Sequence, residues 1–108
     1  MEHLNFREEK AKAVEQLWSF LIGRVQQLDQ TKAIINSMGD QDTYWVKQVN
    51  DCLHDMEQLN YQSARLLDQM SSPNLVEQTQ AAQEYIMVLT MCETIEKKIN
   101  KILKSVSE

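Results

Sequence analysis

Cys52 and Cys92 are the residues of this sequence whose chemistry and placement are most specific. Two thiols can form a disulfide if their alpha carbons come within about 7 Å of each other. Both cysteines lie on apolar stripes of predicted helices, and a fold-back near residues 72–73 would bring them to a similar height. We therefore expect them to be near neighbours, either as two reduced thiols in the core or as a structural or redox disulfide.

Asp51 and His54 form a second candidate, because a spacing of three residues places a carboxylate and an imidazole on one face of a helix. Helical bundles with two metal ions use such a spacing, but with glutamate and in two copies. This chain has one copy, and its only other histidine is His3. We interpret His54 as a solvated side chain beside acidic residues rather than as a metal ligand.

Catalytic motifs are missing from the sequence. It contains no glycine-rich phosphate loop, no nucleophile elbow and no spacing typical of paired catalytic carboxylates. Because it has only two glycines and one proline, it also offers few loops on which an active site could be built. We predict that the protein is not an enzyme and uses no cofactor.

The scarcity of turn-forming residues predicts a few long helices in the 108 residues. Apolar residues recur at near-heptad spacing through three segments, and breaks at residues 37–40 and 71–74 separate them. Ser72 is the predicted N-cap of the third helix, with Pro73 as its first residue. The predicted helices cover about residues 5–38, 41–70 and 73–105.

Short breaks make consecutive helices antiparallel. The expected fold is therefore all-α: one domain, residues 1–108, with three long helices in an up-down-up antiparallel bundle or coiled coil. Trp18 and Trp45 lie on inward stripes and are expected in the core. The inward stripe predicted for the first helix consists of Ala11, Val14, Trp18, Leu21, Val25, Leu28 and Ile35, with Lys32 as an interruption.

The stretch EYIMVLTMCETI, residues 84–95, is apolar around more of the helix circumference than one stripe explains. Part of it can face the other two helices of a bundle. Met87 and Met91 point elsewhere, and methionine is a flexible residue that partner-binding surfaces overuse. Phe20 raises the same question, because it lies almost opposite the stripe of the first helix. The predicted partner-binding residues are Phe20, Tyr61, Ile86, Met87 and Met91.

The net charge of −5 and the pI of about 5.0 argue against nucleic acid as the main partner, because phosphate binding needs a basic surface. The N-terminal sequence MEHLNFREEK does not resemble a signal peptide, and no segment reaches the ~20 apolar residues of a membrane span. Two cysteines without an N-glycosylation sequon fit a reducing compartment. We expect a cytoplasmic or otherwise intracellular protein.

The length, the three predicted helices and Trp18 within LWSFLIGRVQQL resemble a spectrin-type repeat. Such repeats typically carry a second tryptophan in the third helix, whereas Trp45 lies in the second, so the resemblance does not assign the chain to that family. Size and charge are also similar to those of small acidic export chaperones of bacteria. We predict a non-enzymatic interaction module, a scaffold, adaptor or assembly subunit, that binds a partner helix or a second copy. The alternative is a helical chaperone for one client protein.

Overall fold

A computed structural model describes the backbone of residues 2–38 and 43–107, and the side chains from residue 8 onward within those ranges. It contains three helices, α1 (Glu2–Ser37), α2 (Tyr44–Met70) and α3 (Leu75–Ser107), and no strand in the described residues. They form a rod of 59 × 21 × 20 Å. The predicted all-α fold of three long helices is confirmed.

The direction of the helices follows from their side-chain contacts. Lys32 pairs with Glu57, and Arg24, earlier in α1, bonds Ser63, later in α2, so these two helices are antiparallel. Lys10 of α1 donates a hydrogen bond to Gln78 of α3. Each of these residues lies near the start of its helix, so α1 and α3 run parallel. The arrangement is up-down-up.

Helix α2 is the centre of the fold, because it packs against both other helices. Leu66 and Leu67 near the end of α2 are completely buried, and so is Val49 near its start. The buried residues of α2 form a wide band along the helix, and this band packs against α1 and against α3. The backbones of α1 and α3 do not pack closely against each other over the described residues. A groove therefore runs between them, with α2 beneath it.

The inward stripe of α1 differs from the predicted one at two positions. Leu21, Leu28 and Ile35 are buried, but Ala11 is exposed, and Val25 is 40% exposed whereas Arg24 is only 8% exposed. The predictions for Ala11 and Val25 were therefore wrong. An α-helix drifts by about 20° per heptad relative to an exact seven-residue repeat. On a straight α1, position 24 lies about 40° and position 25 about 60° from the mean direction of the three buried residues, so position 24 is the more inward of the two.

The start of α3 also differs from the prediction. Asn74 is the N-cap, because its side-chain oxygen accepts hydrogen bonds from the backbone N–H groups of Val76 (3.0 Å) and Glu77 (3.2 Å). The Ser72 hydroxyl accepts a bond from the Asn74 N–H and donates one to the Glu77 carboxylate. Ser72 thus supports the cap instead of forming it. The predicted start of the second helix, residue 41, lies outside the described residues.

Leu66 provides a test of the central position of α2. Replacing Leu66 with Ala removes a fully buried side chain of the core, and should lower the free energy of unfolding by about 2–5 kcal/mol. Leu75→Ala is the matched control, because Leu75 is 72% exposed, and its effect should stay within about 0.5 kcal/mol. Urea unfolding followed by circular dichroism measures both. Equal losses in the two variants would contradict this description of the core.

Candidate partner-binding surface

The five residues predicted to bind a partner are all on the surface. Each of the side chains is more than half exposed: Phe20, Tyr61, Ile86, Met87 and Met91. They do not share one face, however. The structure distributes them over three parts of the surface, which differ in shape and in their neighbours.

Tyr61 lies in a groove between α1 and α2, which we call the α1/α2 groove. Ile22 and Val25 of α1 line it on one side, and Tyr61 and Ala64 of α2 on the other. Its volume is about 500 Å³. The Lys32–Glu57 ion pair borders it, and this pair lowers the pKa of the Glu57 carboxyl. Lys32, which interrupts the apolar stripe of α1, therefore extends to a carboxylate on the neighbouring helix.

Phe20 and Ile86 flank the groove between α1 and α3, the α1/α3 groove. Phe20 continues the line of Arg24, Gln27 and Thr31 along α1, and all three of these residues line the groove. Ile86 is exposed on α3, about 80° around the helix from Glu96 on the opposite rim, so it lies beside the groove and not in its lining. Because α1 and α3 are parallel, Phe20 and Ile86 border the same end of this groove.

Met87 and Met91 lie one turn apart on α3 and form what we call the Met ridge. At 100° per residue they project from the side of α3 that faces away from α1, whereas Ile86 belongs to the side that faces α1. The Met ridge is therefore a third surface, separate from both grooves. Val76, which is also exposed, continues it towards the start of the helix.

The α1/α3 groove has a volume of about 300 Å³ and an apolar floor. The floor side chains come from all three helices: Leu28, Leu53, Met56, Ile99 and Leu103. Polar side chains, among them Gln27, Glu96 and Asn100, form the rim. An apolar floor with a polar rim is typical of a protein-binding groove.

Arg24 lies at one end of this groove and is held by residues of α2. Its Nε and Nη2 donate to Asn60 Oδ1 at 3.1 and 2.6 Å, and Nη2 also reaches Ser63 Oγ at 3.3 Å. Ser63 in turn donates to the Leu59 carbonyl at 2.8 Å. Asn60 and Ser63 are buried like Arg24. Together with the buried Tyr85 of α3, these residues form what we call the Arg24 cluster.

The Arg24 cluster is incompletely paired. Arg24 Nη1, Asn60 Nδ2 and Tyr85 Oη are buried and make no hydrogen bond with any described residue. No carboxylate among the described residues lies within 4 Å of the guanidinium. A buried charge is costly unless an opposite charge and hydrogen bonds compensate it, and here only neutral groups do so.

Two neighbours complete the environment of the guanidinium. Arg24 Cζ lies 5.9 Å from the centre of the Phe20 ring, within the range of a cation–π contact. Burial raises the pKa of the Tyr85 hydroxyl, and the nearby guanidinium opposes that rise only in part. Tyr85 therefore keeps its proton at neutral pH and can act as a hydrogen-bond donor.

Cys52 and Cys92 are both buried free thiols. Burial raises the pKa of each thiol, although Lys98 opposes the rise at Cys52 and Arg24 opposes it at Cys92. Protonated thiols are poor nucleophiles, so neither residue is poised for chemistry at neutral pH. That the two thiols are neighbours and can be joined by oxidation stays a prediction.

His54 and Asp51 are both exposed on α2. The described part of the chain holds no group of three or more potential metal ligands. None of its helices is long and apolar enough to cross a membrane. Comparisons of the chain with protein-family models, with curated proteins and with solved structures found no match.

Sequence reasoning missed Arg24, although a signal was available. The residue lies three positions after Leu21 and four before Leu28, and both of these leucines were assigned to the core. Spacing alone would have placed Arg24 inward, but charged residues are almost never buried without a partner. Asn60 and Ser63 could have indicated such a partner, because they are two hydrogen-bonding residues three positions apart in an otherwise apolar part of α2.

The buried thiols predict a loss of stability at alkaline pH. Because the pKa of each thiol is higher in the folded than in the unfolded protein, their contribution is complete below the unfolded pKa and is lost as pH rises towards the folded one. Between pH 7 and pH 10 the wild type should therefore lose more free energy of unfolding than the C52A/C92A variant. Urea unfolding at both pH values tests this, and equal losses would contradict the assignment.

Proposed function

We propose that this protein is a non-enzymatic interaction module that binds an amphipathic helix of a partner protein or of a second copy of itself. The observation that carries the proposal is a set of exposed apolar side chains in rows, outside a core that is already closed. Met87 and Met91 form one row, and Ile22 and Val25 face Tyr61 across the α1/α2 groove. Single exposed apolar residues are normal on a protein surface, whereas neighbouring ones indicate a binding surface.

The shape of these surfaces favours a helix as the bound element. Both grooves run between long helices, and the Met ridge repeats at one helical turn. A helix that binds such a surface does so with apolar residues at positions i, i+3, i+4 and i+7. Methionine side chains adapt to such residues without a fixed geometry. A scaffold, an adaptor and a subunit of a helical assembly would all use this kind of contact.

The buried cysteines and Tyr85 support a role without catalysis. Both thiols are protonated at neutral pH, and the pKa of Tyr85 is raised. Free thiols are also compatible with a reducing compartment, which supports the proposed intracellular location. His54 is exposed on α2 and lines neither groove.

Charge substitution on the Met ridge tests the proposal. The M87E/M91E variant places two carboxylates on the Met ridge, which should abolish binding through the ridge because desolvating a charge is costly. Two measurements apply: light scattering over a concentration series, and selection of phage-displayed helical peptides of about 18 residues, roughly 27 Å of helix. We expect the wild type to self-associate, to select helical peptides, or both, and the variant to lose the interactions made through the ridge.

The control variant is Q30E/Q58E, which adds the same charge at exposed polar positions of α1 and α2, outside the ridge. It should behave as the wild type, and circular dichroism should give equal helicity for all three proteins. A wild type that stays monomeric and selects no helical peptide would overturn the proposed function. Unchanged association of M87E/M91E would show that the ridge is not the docking surface.

A further inference from the structure

The Arg24 cluster indicates which chemistry a bound helix would have to provide. Arg24 is only 8% exposed and carries a fixed positive charge. Its Nη1 has no hydrogen-bond acceptor among the described residues. Tyr85 Oη is a second buried group without a partner. Arg24 belongs to α1 and Tyr85 to α3, so these groups come from the two helices that form the walls of the α1/α3 groove.

The two groups require an acceptor rather than a further donor. Nη1 carries two N–H donors and no lone pair that can accept, and the protonated Tyr85 hydroxyl offers a third donor. A carboxylate has two oxygens with about four acceptor sites, and it supplies the negative charge that the guanidinium lacks. A neutral amide would supply one acceptor and no charge. The composition of the cluster thus favours a carboxylate.

We propose that the α1/α3 groove binds a helix of a separate partner protein that carries an aspartate or glutamate on its apolar face, and that Arg24 and Tyr85 bind this carboxylate. The inference rests on the proposed function and names the chemistry of the partner. Leu28, Ile99 and Leu103 on the floor receive the apolar side chains of the helix. The partner contributes one acidic residue within an otherwise apolar contact.

In this proposal, the carboxylate reaches the guanidinium past the side chain of Phe20. Its ring lies 5.9 Å from Arg24 Cζ and is more than half exposed, so a change of side-chain rotamer is enough to move it. Turned outward, the ring becomes part of the apolar rim that contacts the bound helix. Glu96, the one described carboxylate that lines the groove, makes no ion pair with Arg24. The site for an incoming carboxylate is therefore not taken by any described residue.

The experiment is a selection of helical peptides on the M87E/M91E variant, in which the Met ridge is blocked and the grooves remain. The library consists of phage-displayed single helices with the residues of one face randomised. We expect aspartate or glutamate to be enriched at one position of the selected face. The same selection should show no acidic preference on bait that also carries Arg24→Met, and an undiminished one on bait with Arg65→Met, an exposed arginine.

A selected peptide and its twin with the acid replaced by the corresponding amide provide the quantitative test. The replacement should weaken peptide binding to the M87E/M91E protein, which retains Arg24, roughly tenfold to a hundredfold. The reason is that it removes a charge-assisted hydrogen bond to a buried partner. It should have no effect on the Arg24→Met protein. Tyr85→Phe removes only the unpaired hydroxyl, and should reduce the difference between the twins while leaving the fold intact. This second variant keeps the test valid if Arg24→Met does not fold.

Each result decides between the two proposals. Peptides that bind without an acidic preference, or twins of equal affinity, overturn the carboxylate site and leave the interaction module standing. A blocked bait that selects no helix overturns the carboxylate site. If the wild type also selects no helix and stays monomeric, the proposed function is overturned as well. If Arg24→Met instead converts a self-associated protein into a monomer, the carboxylate belongs to a second copy, and the assignment to a separate partner is wrong.

Discussion

The burial of the Arg24 guanidinium between three helices is the interaction on which the rest of the structure depends. Asn60 and Ser63 fix its position from α2, and this fixes the register of α1 on α2 at that height. A buried polar contact of this kind selects one alignment among several that apolar side chains alone would tolerate. The selection has a cost in stability, because the charge is compensated only by neutral groups.

The central position of α2 explains why the molecule presents grooves at all. A bundle in which every helix packs closely on both others has no open seam, whereas here α1 and α3 each pack chiefly on α2. The space between α1 and α3 is bridged at one end by Lys10 and Gln78. Further along it opens over Leu28, Leu53 and Ile99. The surfaces that we assign to binding are thus a consequence of how two helices share a third.

The fold could be predicted from the sequence because its determinants are local. Few turn-forming residues, long apolar periodicity and two short breaks specify three antiparallel helices. The exact cap of α3 could not be predicted, because Ser72 and Asn74 are both good caps and the choice depends on which side chain reaches two backbone N–H groups. Exposure was predictable for the five surface residues, but their division among three surfaces depends on how the helices pack. Arg24 shows the limit most clearly, since its burial requires partners on another helix.

The parallel course of α1 and α3 gives the molecule a polarity along its length. Each helix carries the equivalent of about half a positive charge at its N-terminus and half a negative charge at its C-terminus. In an up-down-up arrangement two of these dipoles cancel and one remains. A fourth helix laid in the α1/α3 groove antiparallel to its walls would cancel the last one and complete an up-down-up-down bundle. A helix that enters in the opposite direction would add to the imbalance, so the fold itself favours one of the two orientations in which a helix can bind.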